Sequence, residues 1–311
     1  MNLISRTAAL LTALAATAAL LAACGGGTSQ LEIFKPDRVI AFGDEHSLLT
    51  PTGRKYSVNA LKTDGTLDCE ANPLWVQSVA ALYGYRFAEC LGTETVAKAF
   101  SRAAVGATVQ AVTAQIDAQV AAGGLTNRDL VTMLVGIHDV KAIYENRAAG
   151  ETDAQLIARA GERGAELGRQ INRIVALGPR VIVSTITELG RTPYGLAKGA
   201  ADAALLNQIS YAFNARMRVT ILLDGRFIGL VLGDETVQSA VQVPEAFGFT
   251  NVVQGACAAT AAMPNCDNVA SSLATGATSN TWLWADSLRY GPTMQRQIGL
   301  IAASRAQSNP F

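Results

Sequence analysis

Residues 38–45, Arg38-Val39-Ile40-Ala41-Phe42-Gly43-Asp44-Glu45, set a short apolar run directly before a glycine-acid turn. Four consecutive apolar side chains leave no polar face, so the run reads as a strand covered on both sides. Three later runs share this character, at 129–135, 180–186 and 226–232. Between them lie stretches with helical spacing at 73–83, 108–122, 152–177, 199–222 and 290–306. Asn72-Pro73 opens the first helix and Gly178-Pro179 closes the third. This alternation predicts an α/β fold, a three-layer αβα arrangement around a doubly wound parallel sheet. Ligands of such sheets sit at the carboxyl ends of the strands, which directs attention to the loops after Phe42 and Val135. The segment 244–281 has no clear period, is rich in Ala, Gly, Ser, Thr and Asn, and reads as a long loop region.

The 311-residue chain carries 25 Lys plus Arg against 25 Asp plus Glu, and 50% of its residues are hydrophobic. Balanced charge and the lack of a long basic run do not favour nucleic acid as a partner. The apolar content suits one large domain, assigned to 35–311. Residues 1–23 have the layout of a secretory signal, with Arg6, an Ala/Leu-rich stretch and the ending Leu21-Ala22-Ala23-Cys24. That stretch is shorter than the roughly 20 residues of a membrane span. Its ending resembles the lipobox of bacterial lipoproteins, which implies cleavage before Cys24 and acylation of its thiol. No Asp follows Cys24, so the same resemblance implies the outer membrane of a bacterial envelope. Residues 24–34, with Gly25-Gly26-Gly27, read as a flexible tether. Several acyl chains on Cys24 hold a protein firmly at a membrane.

Four cysteines follow Cys24 in a chain read as exported, where disulfides can form. Four allow three pairings. The arrangement with the shortest loops joins Cys69 to Cys90 and Cys257 to Cys266. Two histidines and no Cys-x-x-Cys leave little from which to build a metal site, and nothing in the chain implies a cofactor.

Several short blocks follow one another in a meaningful order. They are Phe42-Gly43-Asp44-Glu45, Asn72-Pro73-Leu74-Trp75-Val76, Ala103-Ala104-Val105-Gly106-Ala107 and Val135-Gly136-Ile137-His138-Asp139. Phe247-Gly248-Phe249-Thr250-Asn251 and Trp284-Ala285-Asp286-Ser287-Leu288-Arg289 come last. In this order and spacing the chain resembles the SGNH (GDSL-type) lipase and esterase family over nearly all of its mature length. The resemblance implies a flavodoxin-like three-layer fold and ester hydrolysis by a serine, with an Asp-x-x-His pair near the C-terminus. It also implies an oxyanion hole formed by a backbone glycine and an asparagine amide.

The departures concern the chemistry. The nucleophile position is Glu45, the asparagine position is His138 and the histidine position is Arg289, while Gly106 and Asp286 match. A carboxylate attacks an ester poorly and sets negative charge beside an oxyanion hole. An arginine stays protonated and cannot act as general base. His138 can still donate an N–H to an oxyanion. Without nucleophile and base, a triad loses several orders of magnitude in rate. In a helix beginning at the turn, Ser47 is rotated from Glu45 by about 200°, away from the pocket, and His46 by about 100°, where it needs some other nucleophile within reach.

Serine and histidine touch in the family fold, so Glu45 and Arg289 are expected to form a charge-assisted, bidentate pair with Asp286 as a second acceptor. The alternative is two solvated surface charges. Three weaker readings stay open in pairs: Trp282 and Trp284 as acyl pocket or core, Tyr83 and Tyr85 as sugar platform or packing, and Asp139 as orienter of His138 or cap of the following helix. Three functions follow. The first is a membrane-tethered hydrolase-like lipoprotein, inactive as an esterase, that binds an acyl, glycan or protein ligand. The second is an active ester hydrolase in which Glu45 serves water as general base and His138 as acid or oxyanion donor. The third is a structural envelope protein with a filled cleft.

Overall fold

The computed structural model describes residues 34–222 and 224–308, so the signal segment, Cys24 and most of the tether lie outside the described residues. Five strands form one parallel sheet: β1 (Arg38–Gly43), β2 (Ala99–Ser101), β3 (Asp129–Leu134), β4 (Arg180–Ser184) and β5 (Ile228–Val231). Their spatial order is β2-β1-β3-β4-β5. Val39, Ile40, Ala41 and Phe42 are all at most 1% exposed, which is why β1 shows no polar alternation. The four expected strands are present, the later three slightly shorter than their apolar runs. The edge strand β2 was not expected. Three residues, Ala99-Phe100-Ser101, are too few to carry a period, and two of them are only half-buried.

Among the described residues, seven helices longer than one turn flank the sheet: α1 (Trp75–Leu82), α2 (Val109–Gly123), α3 (Ile137–Glu145), α4 (Asp153–Ala176), α5 (Ala200–Thr220), α6 (Gly233–Gln242) and α7 (Pro292–Ser308). One layer is built on the long contact of α4 with α5, joined by α2 and α3. The other joins α1 and α6 to α7, which lies over β4 and β5. Two layers of helices around a parallel sheet make this a three-layer αβα fold. Helices α3 and α6 fall outside the expected helical stretches. Each starts at a glycine turn straight after a strand and is short, so its period is hard to separate from the loop.

Among the described residues, no helix is long and apolar enough to cross a membrane. The Arg180 guanidinium lies over the Phe34 ring at 3.8 Å, which packs the first described residue against the start of β4. The two disulfides are Cys69–Cys90 and Cys257–Cys266. The region 244–281 is mostly irregular, but Asn251–Gly255 pairs in parallel with Trp282–Trp284 as a separate ribbon. A small apolar cluster of Val58, Ala256, Cys266, Trp282 and Ala285 fixes this region.

Buried polar groups tie the two disulfide loops together. Lys55 Nζ donates to the carbonyls of Cys69 (3.1 Å) and Ala71, and its backbone N–H donates to Asn59 Oδ1 at 2.9 Å. Asn59 Nδ2 donates in turn to the Cys266 carbonyl at 2.9 Å. Burial pulls the Lys55 ammonium down to about 8.

The strand order reverses about β1, so the crevice at its carboxyl end, between β1 and β3, is the place where such sheets hold ligands. Gly43 makes the turn there. Its φ of +129° suits glycine, and a Cβ would stand 2.0 Å from the Leu134 carbonyl oxygen. Gln115 on α2 clamps the same residue, accepting from Gly43 N (2.9 Å) and donating to Gly43 O (3.0 Å). Gly136 does the equivalent after β3, with φ +128° and the Phe213 ring where a side chain would go.

Candidate functional site

Glu45 opens a single 3-10 turn, Glu45–Ser47, directly after Gly43-Asp44. Its side chain is 1% exposed. His138 stands in the first turn of α3 rather than in a loop, and its Nε2 lies 3.0 Å from Glu45 Oε1 and 2.9 Å from Oε2. A carboxylate only accepts, so this nitrogen carries the proton. The Gly106 backbone N–H donates to Glu45 Oε2 at 2.9 Å. Arg289 donates from Nε (2.9 Å) and Nη2 (2.6 Å), both to Oε1. The pair is therefore two-pronged on the arginine side but converges on one oxygen, leaving Oε2 to Gly106 and His138.

Asp286 supplies the remaining contact, accepting from Arg289 Nη1 with Oδ2. Its Oδ1 accepts from the backbone N–H groups of Leu288 and Arg289, both at 2.9 Å. Ala285 N also donates to the Arg289 carbonyl at 2.7 Å. The same carboxylate thus folds the 285–289 turn and orients the guanidinium it holds. On the outer side Arg289 lies 5.4 Å from the Tyr56 ring centroid, a cation–π contact with no sequence signal. The structure brings together Glu45, Gly106, His138, Asp286 and Arg289, and the solvated-charge alternative for Glu45 and Arg289 does not hold.

Electrostatics follow from this packing. Burial works against the Glu45 charge, but it is outweighed by the hydrogen bond and charge interaction with His138 and by the Arg289 guanidinium. The net effect holds its pKa well below the usual carboxylate range. Burial likewise opposes the Arg289 charge, and Asp286 and Glu45 together raise its pKa.

The neighbours take no part in this network. His46 Nδ1 lies 2.9 Å from Asp44 Oδ1, and its ring meets Tyr290 edge-on at 4.9 Å. Ser47 Oγ accepts from the Trp75 indole N–H at 3.1 Å. Ser287 accepts through its carbonyl from Tyr194 N at 2.9 Å. Among the described contacts neither imidazole meets a serine.

Asp139 does neither thing expected of it. Its Oδ2 accepts from Val109 N at 3.0 Å, capping the start of α2, the helix earlier in the chain. Burial pushes this carboxyl up to about 6. Trp284 is fully buried, donating to the Val252 carbonyl (2.9 Å) and stacking on Tyr290, and Trp282 belongs to the small apolar cluster. Both are core. Tyr85 donates to the Pro36 carbonyl at 2.6 Å and Tyr83 to the Ala306 carbonyl at 3.4 Å, so both are packing residues. Among the described residues no group of three His, Cys, Asp or Glu is placed to hold a metal ion.

No family model and no curated protein sequence matches the chain. Solved structures do. The chain is similar to a member of the lipolytic protein G-D-S-L family from Veillonella parvula DSM 2008, at 11% identity over 85% of this chain and 95% of that one, with a TM-score of 0.42. It is also similar to Axe2, an acetylxylan esterase from Geobacillus stearothermophilus, at 14% identity over 89% and 96%, with a TM-score of 0.44. The site rests on the distances above, not on these likenesses.

Proposed function

We propose that this chain is an SGNH/GDSL hydrolase-like lipoprotein, held at a bacterial outer membrane by acyl chains on Cys24, that performs no serine-type ester hydrolysis and acts by binding. One observation supports the silent site. The Glu45 carboxylate receives the very donors, Gly106 N–H and His138 Nε2, that would otherwise face the oxyanion of a tetrahedral intermediate. An ester carbonyl entering here meets a negative charge, with the Gly106 N–H and His138 Nε2 already engaged.

Glu45 is also poorly placed as a base for water. Both its oxygens accept hydrogen bonds, and its depressed pKa weakens its pull on a proton. The near-complete burial of Glu45 favours the structural reading of this crevice over ligand capture inside it.

The test is hydrolysis of short p-nitrophenyl esters by the wild type, Glu45→Ala and Glu45→Ser/Arg289→His. Wild type and Glu45→Ala are expected at the buffer rate, while the double variant gains a serine beside an imidazole and Asp286. Turnover in the wild type that disappears in Glu45→Ala would establish the enzyme reading instead.

A further inference from the structure

The edge of the sheet opposite the site carries exposed apolar side chains that the fold does not use. Leu177 follows α4 and is 40% exposed, Leu222 follows α5 at 52%, and Phe227 precedes β5 at 36%. They sit at one end of the domain. Asn172 joins the ends of α4 and α5 by donating to the Thr220 carbonyl (2.9 Å) and accepting from Leu222 N (2.8 Å). Val181 N, at the start of β4, donates to the Phe227 carbonyl at 2.8 Å. A cleft of about 260 Å³ opens beside them, lined in part by Leu222, Ile228, Leu230 and Arg305. Single exposed apolar residues are ordinary, but three with an apolar cleft at one end are a patch.

The charge around the patch is positive. Arg128 pairs with Asp37 and Arg226 with Asp224, and these cancel. Exposed Lys35, Lys98 and Arg305 add three cations at the same end. On the flank beside β2, Arg86 with Glu70 and Glu94 gives back one negative charge.

The chain enters the domain at this same edge, where Phe34 lies under Arg180 at the start of β4. Only ten peptide links separate Phe34 from Cys24. Ten links cannot span more than about 35 Å. A lipid on Cys24 therefore keeps this end of the domain, rather than the site end, within reach of the bilayer at high effective concentration. We propose that the end of the sheet where its strands begin, with Leu177, Leu222 and Phe227 on the β4–β5 side and Lys35, Lys98 and Arg305 spread along the same end, is a docking face for an anionic phospholipid surface. The inference rests on the acylation of Cys24. Apolar side chains enter the headgroup region while the cations meet lipid phosphates, and the Glu45 end points away from the membrane.

The experiment uses the full chain, acylated in a bacterial host and reconstituted in phosphatidylcholine/phosphatidylglycerol vesicles with brominated acyl chains. Tryptophan reporters are placed at the proposed face (Phe227→Trp) and at the site end (Val253→Trp). Bromine is expected to quench the first reporter and to leave the second at the wild-type background. In the Phe227→Trp background, Lys35→Glu/Lys98→Glu is expected to reduce quenching about twofold. Equal quenching of both reporters, or stronger quenching of Val253→Trp, overturns the docking face while acylation stands. Labelling with an alkyne-palmitate, lost in Cys24→Ala, checks acylation separately. A chain that takes up no label overturns the lipoprotein reading and this inference with it.

Discussion

Gly106 donates its backbone N–H to Glu45 Oε2 over 2.9 Å, so a carboxylate of the protein itself occupies the donor pocket at the end of β1. Four N–H groups from three residues converge on that one buried carboxylate, the His138 Nε2–H shared between its two oxygens. Arg289 then bridges Glu45 to Asp286, and the crevice becomes a closed polar cluster.

A buried pair is more costly to break than to omit. Glu45→Gln and Arg289→Met are each expected to lower stability, by at most about 3–5 kcal/mol, since each leaves the other charge in the buried cluster with one partner fewer. The double variant should lose clearly less than the sum, with a coupling of at least ~1 kcal/mol. Urea denaturation of the four proteins measures this. Strict additivity would mean that the two side chains do not interact.

Two carboxyls are expected to bend the pH profile in opposite directions. Folding lowers the Glu45 pKa, so its contribution is complete above the ordinary value of 4.5 and is lost as pH falls below it. Glu45→Gln should remove this acid-labile component. Asp139 is raised from 3.8 to about 6, so its contribution is greatest below pH 3.8 and declines as pH rises through 6. Asp139→Asn keeps an acceptor for Val109 N–H and should stabilise the protein at pH 7, relative to pH 4, by on the order of 1–3 kcal/mol. Thermal melts from pH 3 to 8 would decide, and an Asn variant with the wild-type slope would count against a buried, raised Asp139.

Gly43 has no room for a side chain. Gly43→Ala sets a methyl against the Leu134 carbonyl at a φ that disfavours any other residue. The expected loss is more than about 3 kcal/mol. Gly65→Ala, at a positive φ in open space, serves as control and should cost only about 1 kcal/mol.

The disulfides close loops of different length, with separations of 21 residues for Cys69–Cys90 and 9 for Cys257–Cys266. Chain entropy gives about 3.4 and 2.7 kcal/mol respectively. Replacing either pair by alanine is expected to lower the chemical denaturation midpoint, the longer loop more. The second pair should also loosen the ribbon that carries Asp286 and Arg289. Hydrogen exchange at Ala285 N and Arg289 N would report it, and unchanged protection there would rule out that coupling.

Much of this fold is legible in the sequence. Runs such as Val39–Phe42 announce a strand because both faces are buried, and Gly178-Pro179 ends α4 by simple backbone chemistry. The blocks around Glu45, Gly106, His138 and Asp286–Arg289 marked the residues that meet. Short elements were harder. β2 spans three residues, and α3 and α6 start without a cap side chain to mark them. Asp139, Gln115 and Tyr56 gave no sign of their partners, because each acts on an element remote in the chain.

Residue identity and periodic burial are enough to specify a parallel α/β sheet and to set an acid, an imidazole and a guanidinium in the blocks after β1, after β3 and near the C-terminal helix. Those properties are local, set by periodic burial and residue identity. That the charges close on one another is a matter of packing. Glu45 and Arg289 are 244 residues apart. Their distance depends on how the β1 turn, the start of α3 and the 285–289 turn are packed around one buried carboxylate, and no local pattern encodes that.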